Sequence, residues 1–308
     1  MAHRPPLFEL LPPALRPAAL RDVPLRDLTT LRVGGPAELV CPARNPDDAR
    51  RFQAFAAEKG LPCFVLGGGS NLLGADEGFG GAVLKVATTG FAVRGDTVRA
   101  GAGLDFDDLI ARTLGAGLVG LEFASGIPGT LGGALVGNAG CYGHEIGEFL
   151  AEALVLLPDG RLETVGPEAF GFAYRTTDLR ETGAIVLEAV LRLGRGDLGA
   201  ATAARAEHLA DRHRKHPVDL PSAGSWFRNL PPAEPGGRRR PAGLLLEEAG
   251  AKAMREGDAA VFAKHANIVV NLGRATSGDV RRLVERMRAA VRDRFGVELV
   301  EEVRRLGP

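Results

Sequence analysis

Hydrophobic and polar positions alternate in short runs through the first two thirds of the chain and shift to helical spacing in the last third. After an arm at 1–27 with one weak helical pattern, Leu39–Val40 and Cys63–Leu66 read as strands. Pro46–Lys59 between them reads as a helix, because Phe52, Phe55 and Ala56 fall on one face. Val83–Val86, Phe91–Arg94 and Thr97–Ala100 are further strands, the last two joined across Gly95-Asp96. Asp105–Leu114 is helical, with Asp105 as its cap. Ala153–Leu157 and Leu162–Val165 flank the turn Pro158-Asp159-Gly160, and Ala184–Leu193 is a long apolar strand. Gly194-Arg195-Gly196 marks a boundary. Beyond it the pattern predicts a helix over Ala200–Arg212, a Pro/Gly/Arg-rich loop over Leu230–Pro241, a short helix at Gly243–Ala249 and a strand at Asn267–Asn271. The clearest helix is Ser277–Phe295, with Val280, Leu283, Val284, Met287 and Val291 in one stripe, a Thr276/Asp279 capping box and Gly296 as its stop. Val297–Val303 is expected to close the chain as a strand. The expected domains are thus an arm at 1–27, a strand-rich domain at 28–195 and a second domain at 196–308.

Length and composition narrow the function classes. The chain has 308 residues, enough for two domains with buried cores. Its 38 basic residues balance 38 acidic ones, which speaks against bulk nucleic acid as a partner. A local basic pocket for a small anion remains open. Cys41, Cys63 and Cys141 stand far apart with no CxxC, which predicts neither a disulfide framework nor a zinc site. No His/Cys/Asp cluster has metal-ligand spacing, so no metal is expected. The opening MAHRPPLFELLPPALRP lacks the apolar core of a signal peptide, and no run reaches the ~18 apolar residues of a membrane helix. A soluble, cytoplasmic protein without membrane insertion is expected.

The glycines cluster in two segments. In the first, the strand ending at Leu66 runs into Gly67, Gly68, Gly69, Ser70 and Asn71. A Rossmann phosphate loop does not fit, since Leu72 stands at the sixth position and no room is left for a crossover helix before Val83. No GxxxxGK[ST] exists either. What remains is a turn of backbone N–H groups that can face a diphosphate without a lysine, or an ordinary glycine turn. The second segment, Gly120–Gly143, is nearly free of bulky side chains between Gly126 and Cys141, and Pro128-Gly129-Thr130 can open a short helix toward an anion. Two such segments in one strand-rich region favour a cofactor site over a pair of packed loops.

Seven motifs occur in order: LTTLRVGGPAEL (28–39), VLGGGSNLL (65–73), GIPGTLGGALVGNAGCYGHEI (126–146), YRTT (174–177), AGSWFRN (223–229), KHANIVVN (264–271) and LVEEVRRLG (299–307). Together they resemble the UDP-N-acetylenolpyruvoylglucosamine reductase (UDP-N-acetylmuramate dehydrogenase) family of peptidoglycan synthesis, over nearly the whole chain from Leu28. The resemblance implies an α+β protein with a vanillyl-alcohol-oxidase-like (PCMH-type) FAD-binding domain and a C-terminal α+β substrate-binding domain. It implies non-covalent FAD, with NADPH as electron donor and UDP-N-acetylglucosamine enolpyruvate as substrate. The cofactor would be held by Gly67, Gly68, Gly69, Ser70, Asn71, Gly126, Pro128, Gly129, Thr130, Gly132, Asn138, Ala139 and Gly140.

That reaction reduces an enol ether bearing a carboxylate. It needs hydride at the β-carbon, from flavin N5, a proton at the α-carbon, and stabilisation of the carbanion between them. Ser225 falls where the family has its proton donor, although alone it reads as a serine in a glycine turn. Arg175 matches the active-site Arg, whose fork can hold a carboxylate bidentately, but it is one Arg among 33. Glu302 matches the C-terminal acid, which can donate to the developing enolate. Glu301 beside it is expected to face solvent. Tyr174, Lys215 and Asn229 match substrate-contacting positions. His213, His216 and His265 are expected to be structural or loop histidines. Ser225 and Glu302 must be brought together by folding of the second domain, and a site at the domain junction is expected.

Three departures bear on substrate contacts: Thr177 replaces the usual Ser, Leu230 the usual Pro and Phe262 the usual Ser. The short interval from Arg175 to Ser225 fits the family type that lacks a tyrosine-bearing loop, so no capping tyrosine is assigned. The rivals are a flavin oxidase of the same fold, against which the lack of a covalent-flavin motif speaks, and a non-catalytic UDP-sugar or flavin sensor. The joint presence of Arg175, Ser225 and Glu302 speaks against the sensor.

Overall fold

The computed structural model describes residues 6–232, 234 and 237–308. The chain divides into two compact units, one comprising Met1–Asp22, Glu38–Gly68 and Gly80–Asp211, the other Val23–Ala37, Gly69–Phe79 and Arg212–Pro308. This division differs from linear boundaries at 27/28 and 195/196. The segment after Gly68 leaves the first unit because Leu72–Gly74 pairs in parallel with Arg304–Leu306 near the C-terminus. The helix Leu198–Lys215 runs as far as Asp211 within the first unit.

The first unit holds two larger sheets besides the small antiparallel pair Gly140–Cys141 with His144–Glu145. One has the strand order Leu20–Pro24, Pro36–Ala43, Phe79–Val86, Cys63–Leu66. Its last two strands are parallel, yet no helix lies between them in sequence, so the glycine turn after Leu66 is not the phosphate loop of a βαβ unit. The other sheet orders Leu162–Val165, Leu150–Leu156, Ile185–Arg192, Thr97–Gly101 and Phe91–Arg94, each pair antiparallel. The helix Pro46–Glu58 starts at Asn45, whose side chain accepts the Asp48 N–H, and buries Phe52 and Phe55. Asp105 caps Phe106–Gly115, accepting from Asp107 and Asp108. Residues 1–5 of the expected arm lie outside the described residues, but from Leu7 on the arm is part of the core. Leu7, Leu11 and Leu15 are buried with Leu39, Phe52 and Phe55, although only Leu7–Leu10 is helical and the chain beyond it is extended at Leu11.

The second unit packs the helix Ser277–Phe295 and the short helix Ala242–Glu248 with a sheet ordered Ser222–Ser225, Ile268–Asn271, Ala259–Val261, Arg255–Glu256. The long helix has the expected capping box and stops at Gly296 with φ +65°, a value that suits glycine. The amide and hydroxyl of Thr276, with Arg282 beside them, hold the Asp279 carboxyl below its usual range. Its stripe from Val280 to Val291 shares a core with Leu31, Val33, Leu73, Trp226 and Phe227. Of the expected loop Leu230–Pro241, Ala233, Pro235 and Gly236 lie outside the described residues, while Leu230 pairs with Arg240 across it.

The expected strand Val297–Val303 is not formed. The C-terminal strand is Arg304–Leu306, and 297–303 makes only an isolated bridge, Phe227 to Glu301. Buried Leu299 and Val303 with exposed Val300 mimic a strand in sequence, but no second strand runs along this stretch to complete a ladder.

Candidate functional site

In the first unit the two glycine segments meet. A Cβ on Gly68 would lie 2.7 Å from the Gly129 Cα, and one on Gly67 2.6 Å from the Thr130 Oγ1. Gly129 has φ +124°, a backbone conformation that L side chains rarely adopt, and its carbonyl accepts the Phe106 N–H at 3.0 Å. Thr130 caps the helix Leu131–Val136 through Gly133 N–H, so the expected helix start at Pro128-Gly129-Thr130 is present. Gly132 donates to the Ala102 carbonyl at 2.8 Å, and a Cβ there would fall 2.9 Å from the Ala102 Cβ. At this seam Gly68 packs on the backbone of Gly129 and Gly67 on the Thr130 hydroxyl, so the two segments approach with few side chains between them, an arrangement that can admit a dinucleotide diphosphate.

The start of the second segment is anchored by residues that motif reading did not single out. Asp107 accepts the Gly126 N–H at 2.7 Å and both Arg205 guanidinium nitrogens at 2.7 Å each. The bond to Asp107 raises the Arg205 pKa further above its usual value. The far end is anchored by Asn138, a buried residue at φ +43° whose amide donates to Ala173 O at 3.1 Å and to Glu145, and whose Oδ1 accepts the Gly147 N–H. Ala139 lies in the same turn, its N–H bonded to Ala134 O.

The YRTT motif docks on this turn. Ala173 and Thr176 exchange two backbone hydrogen bonds, leaving Tyr174 and Arg175 at the tip, with Arg175 at φ +59°. The Arg175 guanidinium donates to the Gly140 carbonyl at 2.6 Å and lies 5.6 Å from the Tyr174 ring centroid. Thr177, the replacement for serine, is buried, and its hydroxyl donates to Val136 O at 3.0 Å.

In the second unit Ser225 ends the strand Ser222–Ser225, one residue after Gly224 at φ +75°. Glu302 N–H donates to Trp226 O at 2.8 Å, so the chain that carries the acid lies beside the chain that carries the serine. Asn267 replaces strand pairing at this point: its Oδ1 accepts Phe227 N–H at 2.9 Å, its Nδ2 donates to Phe227 O at 2.8 Å, and its carbonyl accepts Trp226 N–H at 2.7 Å. Asn271 donates to Leu31 O and Arg32 O, tying KHANIVVN to the first motif. Neither asparagine was a candidate. The signal for them was the placing of two amides at the ends of the apolar run Ile268–Val270.

Glu301 is not solvent-facing. Its side chain is 17% exposed and bonds to Arg288 and Arg305, because the irregular backbone here does not alternate like a strand. Asn229 accepts Ala242 N–H at 3.2 Å at the start of Ala242–Glu248, and Lys215 is the last residue of its helix. His265 accepts the Asn267 N–H on Nδ1 at 3.3 Å, and burial pushes its pKa below the usual histidine value. Among the described residues no group of three or more His, Cys, Asp or Glu could hold a metal ion. Among them, too, no helix is long and apolar enough to cross a membrane.

A family model described as the C-terminal domain of UDP-N-acetylenolpyruvoylglucosamine reductase matches residues 216–306, and a model of an FAD binding domain matches residues 36–166. UDP-N-acetylenolpyruvoylglucosamine reductase 2 of Symbiobacterium thermophilum is 44% identical over 97% of this chain and 96% of its own. The reductase of Anaeromyxobacter sp. is 42% identical over 94% of this chain and 85% of its own. The crystal structure of UDP-N-acetylenolpyruvylglucosamine reductase from Thermus caldophilus superposes with a TM-score of 0.78 at 35% identity, covering 92% of this chain and 97% of that one.

Proposed function

The chain belongs to the UDP-N-acetylenolpyruvoylglucosamine reductase family and is an oxidoreductase with an FAD-binding domain, and we propose that it makes UDP-N-acetylmuramate from UDP-N-acetylglucosamine enolpyruvate in the cytoplasm, with NADPH as electron donor. Residues 28–195 would serve the cofactor and 196–308 the substrate. The hydride for the enolpyruvyl β-carbon is the chemistry that bound FAD supplies. Gly67–Gly69 and Ser70 would hold it, together with Gly126, Pro128, Gly129, Thr130, Gly132 and the turn Asn138–Gly140.

Negative charge then builds on the α-carbon and spreads into the carboxylate. Arg175 would take that charge on its fork, which no lysine could match bidentately. Its bond to the Gly140 carbonyl limits the guanidinium's freedom before substrate arrives. Ser225 Oγ would give its proton to the α-carbon. A hydroxyl is a weak acid, but the carbanion is a strong base, and a positioned donor gains about 10²–10⁴-fold. Glu302 would donate to the enolate oxygen, and Tyr174, Lys215 and Asn229 would contact the rest of the substrate.

The observation that carries this reading is the pairing of Glu302 N–H with Trp226 O, which sets the acid's segment beside the proton donor's despite their distance in sequence. The purified protein should be yellow. Anaerobic NADPH should bleach the flavin, and the enolpyruvyl substrate should restore its colour. Ser225→Ala should leave bleaching near the wild-type rate and slow recolouring by roughly 10²–10⁴-fold. A colourless protein that also fails to take up FAD, or equal slowing of both steps, defeats the proposal.

A further inference from the structure

Asn71 lies in the polar turn after the first glycine run, where a cofactor contact is the obvious role. Its side chain is occupied otherwise. The Asn71 Nδ2 donates to the Glu302 carbonyl at 3.1 Å, and the Asn71 carbonyl accepts the Arg304 N–H at 3.1 Å. From there Leu72–Gly74 pairs with Arg304–Leu306, and Ala75 N–H donates to Leu306 O. On its other side the same segment is held by Glu302 N–H to Trp226 O and by Arg228 N–H to Val300 O. Residues 300–304 therefore have partners on two sides without being a regular strand.

The Glu302 carbonyl lies one step before the parallel ladder begins, where a neighbouring strand would offer a backbone N–H. The Asn71 amide supplies that N–H from a side chain. Only a short carboxamide combines the reach and the donor. An aspartate would set a carboxylate oxygen against the Glu302 carbonyl, and alanine would leave the carbonyl without this bond.

We infer that Asn71 is a positioning residue for Glu302, acting through the Glu302 backbone on the placement of its carboxyl relative to Ser225. The inference rests on the reading of Ser225 and Glu302 as the residues that protonate the substrate and stabilise its enolate. It separates two roles within one motif: the glycines serve the cofactor, and the asparagine serves the acid. Glu301, bonded to Arg288 and Arg305, pins the adjacent residue of the same segment.

The test uses the full-length holoprotein with Asn71→Asp, which keeps the shape and removes the donor, Asn71→Ala, and Asn71→Gln, which restores an amide on a longer arm. Amide hydrogen exchange of the 299–306 peptide should quicken at least tenfold in the Asp variant. Flavin recolouring by the enolpyruvyl substrate should slow by about 10–100-fold, since misplacement near 1 Å can cost 10². FAD affinity and bleaching by NADPH should stay within threefold of wild type, and Asn71→Gln should recover part of the lost rate. If Asn71→Asp does not fold, Asn71→Ala carries the same expectations. Unchanged exchange overturns the inference. Loss of FAD with both half-reactions slowed alike overturns it in favour of a cofactor contact or a general structural role. A wild-type protein that NADPH bleaches but the enolpyruvyl substrate does not recolour defeats the functional reading itself, while the exchange data still decide whether Asn71 holds the Glu302 segment.

Discussion

Around Gly68 and Gly129 in the first unit, chain segments meet because side chains are missing. Around Ser225 and Glu302 in the second, segments meet because Asn71 and Asn267 hold backbone that no strand completes, with Asn271 tying down a third segment nearby. The first arrangement tolerates no added atom, while the second depends on donors and acceptors of the right length. Variants of the first should therefore fail by volume and variants of the second by hydrogen-bonding chemistry.

The largest expected effect comes from volume. Gly68→Val would place a branched side chain where even a Cβ lies 2.7 Å from backbone, so the seam must open. The purified variant should retain less than a tenth of the wild-type flavin by absorbance. Gly80→Ala is the matched control, because nothing lies within 4 Å of the added Cβ. Its flavin content should equal that of wild type. Loss of flavin in both, or in neither, would show that packing of the seam does not govern cofactor retention.

This contrast explains how much was legible in the sequence. Helix Ser277–Phe295 and strands Cys63–Leu66 and Phe91–Arg94 follow from local periodicity and caps, and their bounds agree with expectation. The two glycine segments were legible as well, since absent side chains show directly in a sequence, whereas their packing against each other was not. The bond from Asn71 to Glu302 was not legible either, because the partner is a backbone carbonyl 231 positions away, and a backbone carbonyl leaves no mark on residue type. Val297–Val303 was misread for a related reason: its apolar spacing resembles a strand, but strand formation depends on a neighbour that local pattern cannot reveal. Glu301 was misplaced with it, since alternation of faces was inferred from a strand that does not form.

Glu301→Ala sharpens the second half of the contrast at intermediate size. It removes the carboxylate shared by Arg288, whose side chain is 21% exposed, and Arg305. Loss of hydrogen bonds to charged groups should cost about 1–3 kcal/mol in urea unfolding, followed by emission of Trp226, the only tryptophan. Recolouring of the flavin should slow by a few-fold only, because Glu301 acts on its neighbour's segment and not on substrate. A loss as large as that of Glu302→Ala would mean that the two adjacent acids have been assigned in the wrong order.

The smallest expected effect is a pH dependence at His265. Its Nδ1 accepts the Asn267 N–H, so the neutral ring with the proton on Nε2 is the form that fits. Burial first, and then the charge of Lys252, lower its pKa in the folded protein, while its own backbone and Glu247 act in the opposite sense. The His216 ring lies on that side too, 5.6 Å away between ring centroids. A histidine with a depressed folded pKa binds fewer protons folded than unfolded. Its contribution is therefore fully present above the unfolded value near 6.5 and is lost as pH falls through that value toward the folded one. Protonation also removes the acceptor for Asn267, the residue that holds Phe227. The melting temperature should fall between pH 7.5 and pH 5.5, and it should fall less in His265→Asn, which cannot titrate there. Acidic groups elsewhere contribute to both proteins and drop out of the comparison. Parallel melting curves for the two proteins across that range would show that His265 does not titrate differently on folding, and that the amide network around Asn267 does not depend on its protonation state.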